Sequence, residues 1–185
     1  QPWTARHVGD GTEDGRDPFL DGFPGLGSGA LRAGAAPAAT LPAPLVEKVA
    51  DETVDGVRTL TVRLVPQRPV RLVTLHVDAG SAQVRSAVVA GREAPVDEKL
   101  EGKTGTTGQA SGRKWGFGLV FHAPPPEGIE VTLTLRPLGG PVLLRAMDGS
   151  DGLAGLPGLE PRPAGVGVAG SHTSELVAVA RTYPL

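Results

Sequence analysis

Trp115-Gly116-Phe117-Gly118-Leu119-Val120-Phe121-His122 and, after Ala123-Pro124-Pro125-Pro126-Glu127-Gly128, Ile129-Glu130-Val131-Thr132-Leu133-Thr134-Leu135-Arg136 decide the fold. In each run the large apolar residues fall on every second position. A period of two is the repeat of an extended strand with one buried and one wet face. The first run is the strongest strand in the chain, and its glycines opposite the aromatic face mark a bulge or a close backbone neighbour. The proline-rich link is a connecting turn, so the second run is expected as its partner strand. Trp115, Phe117, Leu119 and Phe121 should be buried against Ile129, Val131, Leu133 and Leu135, or against a facing sheet.

Working outward, the same rhythm recurs. Residues 45–53 and 57–65 flank Val54-Asp55-Gly56-Val57, and an Asp-Gly step between β-prone runs signals a two-residue hairpin. Leu60, Val62 and Leu64 alternate with Thr59, Thr61 and Arg63. Residues 70–78 put Val73, Leu75 and Val77 on one face and Thr74 and His76 on the other. Further strands are expected at 83–90, ending at Gly91, at 141–147 and at 175–181. Residues 97–113, rich in Gly, Lys, Thr and Ser, read as a long exposed loop. The total is about eight strands without an amphipathic helix or a βαβ rhythm. The predicted fold is therefore all-β, an antiparallel two-sheet β-sandwich, with a closed barrel as the alternative.

Residues 1–44 read differently. Gly9-Asp10-Gly11, Asp14-Gly15, Asp21-Gly22 and Pro24-Gly25 are successive turn signals, and Gly34-Ala35-Ala36-Pro37-Ala38-Ala39 is of low complexity. The expected organisation is an irregular arm over 1–44, anchored by Trp3, Phe19, Leu20, Phe23 and Leu26, and a sandwich domain over 45–185. Gly and Pro together make up about a quarter of the 185 residues, but the excess lies in the arm and a few loops.

Composition excludes several function classes. The net charge of −2 gives no basic face for nucleic acid. Arg58, Arg63, Arg68, Arg71 and Arg85 are interspersed with apolar residues and read as the solvated sides of strands. With no cysteine, disulfides and thiolate metal sites are ruled out. No apolar run reaches the ~18 residues of a membrane-spanning helix. The chain opens at Gln1, as a processed product or a segment of a longer protein would. The excess of Arg over Lys fits a GC-rich genome.

Each apparent reactive motif lacks the context its chemistry needs. His7, His76, His122 and His172 never stand at the i, i+4 spacing of a helical zinc pair. His76 and His122 would meet only if their strands paired in the right register. Asp148-Gly149-Ser150-Asp151-Gly152 has the look of a calcium loop but lacks the further oxygen ligands and the closing Glu, and reads as a tight loop. Ser171-His172 has no nucleophile elbow around it. Gly165-Val166-Gly167-Val168-Ala169-Gly170 matches G-x-G-x-x-G by letter, yet a strand rather than a helix is predicted to follow. Trp115 is in phase with the core, which leaves Trp3 as the more exposed aromatic. No catalytic, cofactor-binding or metal-binding residue is assigned, and no cofactor is expected in this segment.

The tail carries a likeness of another kind. Trp115-Gly116-Phe117-Gly118, Arg145-Ala146-Met147-Asp148 leading to Asp151-Gly152-Leu153, and Ser171-His172-Thr173-Ser174-Glu175-Leu176-Val177 before Arg181-Thr182-Tyr183, with Pro2-Trp3-Thr4 at the start, resemble the C-terminal extracytoplasmic domain of membrane-anchored family-28 zinc aminopeptidases. These are bacterial relatives of the endoplasmic reticulum metallopeptidase. The resemblance covers most of residues 1–185, with 114–185 carrying most of the weight. In such proteins a dizinc catalytic domain and a multi-span membrane region precede a β-sandwich of this kind. None of the zinc-binding segments is present, so no catalytic residue transfers. The resemblance implies a non-catalytic domain outside the membrane. Its implied partners are the peptidase domain of the parent chain or a peptide or protein substrate. The alternative is a free-standing β-sandwich module that binds glycan or cell-wall polymer.

Overall fold

The computed structural model describes residues 37–96, 115–153, 155–167 and 175–185. The predicted arm up to residue 36 and the loop at 97–113 lie outside them. The described residues form nine strands: β1 (Leu45–Val54), β2 (Val57–Val65), β3 (Leu72–Asp78), β4 (Ala82–Val89), β5 (Arg92–Ala94), β6 (Trp115–His122), β7 (Ile129–Pro137), β8 (Leu143–Asp151) and β9 (Leu176–Pro184). They make two antiparallel sheets, one ordered β1-β2-β7-β4-β5 and the other β6-β3-β8-β9. The expected all-β sandwich is the observed architecture. The ninth strand is the short β5, which follows the Gly91 at which its predecessor was expected to end and was not itself expected.

The alternation in sequence becomes the core. Leu60, Val62, Leu64, Val131, Leu133 and Leu135 of the first sheet face Val73, Leu75, Val77, Leu144 and Ala146 of the second, all without solvent exposure. Each such valine or leucine contributes about 1.5–3 kcal/mol by leaving water. The β1–β2 hairpin turns at Asp55 and Gly56, whose φ angles are 50° and 77°, as the Asp-Gly step predicts. At the β6–β7 connection Gly128 has φ 88°, and a Cβ there would lie 2.6 Å from the Leu64 carbonyl oxygen. Both the conformation and the backbone contact demand glycine.

One expected pairing does not form. β6 and β7 belong to different sheets: β6 pairs with β3, and β7 pairs with β2 and β4. The Ala123–Gly128 link crosses between the sheets instead of closing a hairpin. Alternation reports which face of a strand is buried but not its neighbour, and two strands facing across a core have the same pattern as two side by side. Phe117, Leu119 and Phe121 are accordingly set against the facing sheet, but the expected Trp115 is not with them: the register shift at the start of β6 pairs it with Asp78, on the side of His76. Phe117 is buried in the core, and Leu119 and Phe121 pack at its margin.

Candidate functional site

Two arginines expected on solvated strand faces instead bind the sheets together. Arg58, near the start of β2, donates from Nε and Nη2 to the two oxygens of Asp51, at 2.8 and 2.7 Å. Its Nη1 reaches the Leu185 carbonyl, 3.1 Å away, just past β9 in the other sheet. The Arg58 hydrogen bonds hold the Asp51 carboxyl down at about 2; partial burial opposes this, and Lys48 assists from 3.2 Å. Arg58 itself is pushed up by the same partner.

Arg68, just past the end of β2, reaches the second sheet more deeply. It donates to Asp148 and Ser150 of β8 and to the Val177 carbonyl of β9. Asp148 is fully buried. The Asp148–Asp151 stretch is thus the end of a strand, which corrects its reading as a tight loop: Asp148 pairs with Val73 of β3 and Val179 of β9. Burial raises the Asp148 carboxyl above its ordinary value, and this outweighs the opposing pull of Arg68. Asp148 Oδ2 and Arg68 Nε are both buried and have no hydrogen-bond partner among the described residues.

The second corrected position is His76. Expected on a wet face, it is only 8% exposed, beside Thr74 at 2%. β3 is the strand on which the sequence pattern fails, because it is central and covered on both sides. The Trp115 ring stands 6.3 Å from the imidazole, tilted by 59°. Opposite His76 in the β3–β6 ladder is Gly118, where an added Cβ would lie 2.3 Å from His76 Nδ1. The glycine that appeared to mark a close neighbour in sequence makes room for this ring. Desolvation lowers the His76 pKa from 6.5 to about 4, so the ring is neutral at physiological pH. Its Nε2 is buried without a hydrogen-bond partner among the described residues.

His76 and His122 do not meet. Their strands pair, but His122 stands opposite Leu72, four positions along β3 from His76. His7, Ser171, His172 and Trp3 lie outside the described residues, as do Val168, Ala169 and Gly170 of the glycine run. The part of that run that is described, 165–167, begins in a turn in which the Val166 amide bonds the Pro163 carbonyl. Among the described residues no three His, Asp or Glu side chains are grouped to hold a metal ion.

This chemistry is that of an interior. A pinned carboxylate, a guanidinium spanning two sheets and a neutral buried imidazole fix the relative placement of strands. Sequence reasoning missed the two clamps because arginines at strand margins look alike whether they end in water or on a carboxylate. The signal available for Arg68 was the Asp148 of the Asp-Gly-Ser-Asp run, a carboxylate in phase with the inward face of β8. Comparisons with family models, with curated proteins and with solved structures each returned no match.

Proposed function

We propose that this chain is a non-catalytic, extracytoplasmic accessory domain of a membrane-bound zinc metallopeptidase, with a structural or partner-recognition role. The observation that carries the reading is the wording of the tail. Arg145-Ala146-Met147-Asp148 and Leu176-Val177, two of the segments that resemble the family-28 domain, lie on adjacent strands, with Ser150 opposite Val177 in the ladder. Arg68 stitches them together through Asp148 and the Val177 carbonyl. Residues that resemble the family in this tail therefore do folding work, as expected of a domain carried for its shape.

Two measurements test the proposal. The reading frame upstream of Gln1 should encode hydrophobic spans and a zinc peptidase domain. The purified chain, supplied with zinc, should leave aminoacyl substrates intact; turnover that co-purifies with the chain overturns the reading.

A further inference from the structure

We propose that the edge of β6 that no other strand takes up among the described residues is a self-pairing interface through which two copies of this chain join antiparallel into one continuous sheet. An unpaired strand edge is a template for another strand unless something blunts it. Three of the four edges here are blunted. β1 carries Glu47, Lys48, Asp51 and Glu52 and a register shift between Lys48 and Ala50. β5 has three residues, two of them charged. β9 has Arg181 within it and ends on Pro184, which offers no amide. β6 has eight residues and neither a charge from Asp, Glu, Lys or Arg nor a proline. Its one irregularity lies at its start, between the Val77–Phe117 and Asp78–Trp115 pairs.

The remaining ladder from Phe117 to His122 is regular, and it fixes which groups face outward. The Ala123 amide bonds the Arg71 carbonyl in the register that pairs Val73 with Phe121 and Leu75 with Leu119. Antiparallel pairs alternate between bonded and non-bonded, so the amides and carbonyls of Phe117, Leu119 and Phe121 are spent on β3. Those of Gly118 and Val120 point to the opposite edge.

The occupant follows from the order of side chains. Phe117-Gly118-Leu119-Val120-Phe121 is nearly symmetric in size about Leu119. On a two-fold axis through Leu119, Gly118 of one copy bonds Val120 of the other and Val120 bonds Gly118, giving four backbone hydrogen bonds. The same axis sets Phe117 against Phe121 of the second copy, twice, and Leu119 against Leu119. All of these lie on the core side, where Leu119 and Phe121 are only partly covered within one copy. On the outer side the 55% exposed Val120 comes to rest beside glycine. Aromatic and aliphatic cross-strand pairs are the stabilising unit of a sheet, and isologous contacts of this kind close into a dimer.

The test uses the full 185-residue chain. Sedimentation equilibrium should show a concentration-dependent dimer, and Val120→Lys, a change at an exposed side chain, should weaken it at least tenfold by placing a charge on the edge. The chain lacks cysteine, so a spin label on Val120→Cys is unique. The two labelled backbones should lie about 7–8 Å apart, as diagonal neighbours across a sheet do, and their spectra should broaden by dipolar coupling. A chain that is monomeric at every concentration overturns the proposal, whether or not an extended strand of another protein then takes the edge. A dimer that Val120→Lys leaves intact and in which the labels do not couple overturns it as well.

Discussion

His76 shows how much a single residue's surroundings change its behaviour. In the unfolded chain it titrates near 6.5; in the fold burial lowers this to about 4. The unfolded state therefore binds a proton that the folded state refuses, and stability falls as pH drops from about 6.5 to about 4 and then levels off on this account. The interval corresponds to an order of about 3 kcal/mol at full effect. Urea denaturation at pH 7 and pH 4.5 should show the loss, and His76→Gln should reduce it; equal slopes in both proteins would contradict the assignment. The same ring fixes its neighbour. Gly118→Ala pushes a methyl into the imidazole and should cost about 1–3 kcal/mol, the usual penalty of overpacking. In a His76→Ala background the cost should shrink, and a double-mutant cycle measures the difference.

At the scale of elements, the strands were legible wherever one face is buried and the other wet. β2 and β7 show this best: Leu60, Val62, Leu64 and Ile129, Val131, Leu133, Leu135 are buried, and the residues between them are not. β3 was misread on one face because burial on both sides leaves the inward residues unchanged and gives Thr74 and His76 no polar reason to be there. Strand neighbours were illegible, since β6 and β7 have the same alternation whether paired or opposed. The β4–β5 hairpin was missed for a different reason. Its turn is Ala90-Gly91, with φ of 48° and 77°, the backbone that Asn-Gly usually supplies. Alanine hides the signal and strains the turn. Ala90→Asn should therefore stabilise the protein by about 0.5–1 kcal/mol, the cost of holding an unsuited side chain in the left-handed region. The amide of residue 90, bonded to the Glu130 carbonyl, is unchanged by the substitution. A lower thermal midpoint for Ala90→Asn would mean that the turn is not of this kind.

For the whole molecule, the question is what sets one sheet on the other. The apolar faces supply most of the energy but little direction, because hydrophobic contact is non-directional. Direction comes from the side chains that cross between layers: Arg58 to the Leu185 carbonyl, Tyr183 to the Pro44 carbonyl at 2.7 Å, and Arg68 to Asp148. None of these crossings follows a sequence period, and the inward phase of Asp148 was the single hint of any of them. The candidate sites that were legible by letter, the glycine run and the Ser-His pair, lie largely outside the described residues. The Asp148–Asp151 run is the one that the fold redefines, from a loop into the anchor of a buried ion pair. Removing one partner of such a pair leaves a lone charge out of water, and Arg68→Leu should cost about 3–5 kcal/mol. Asp148→Asn leaves Arg68 with a neutral partner of the same shape that still accepts its hydrogen bond, and should cost less than Arg68→Leu. The double change Arg68→Leu with Asp148→Leu removes both charges and should recover much of the loss, as apolar replacements of buried pairs do. Denaturant midpoints for the parent chain, Arg68→Leu, Asp148→Leu and the double change give the coupling energy. A coupling near zero would mean that this pair has no part in setting the sheets, and that Arg68 could end in water without consequence for the sandwich.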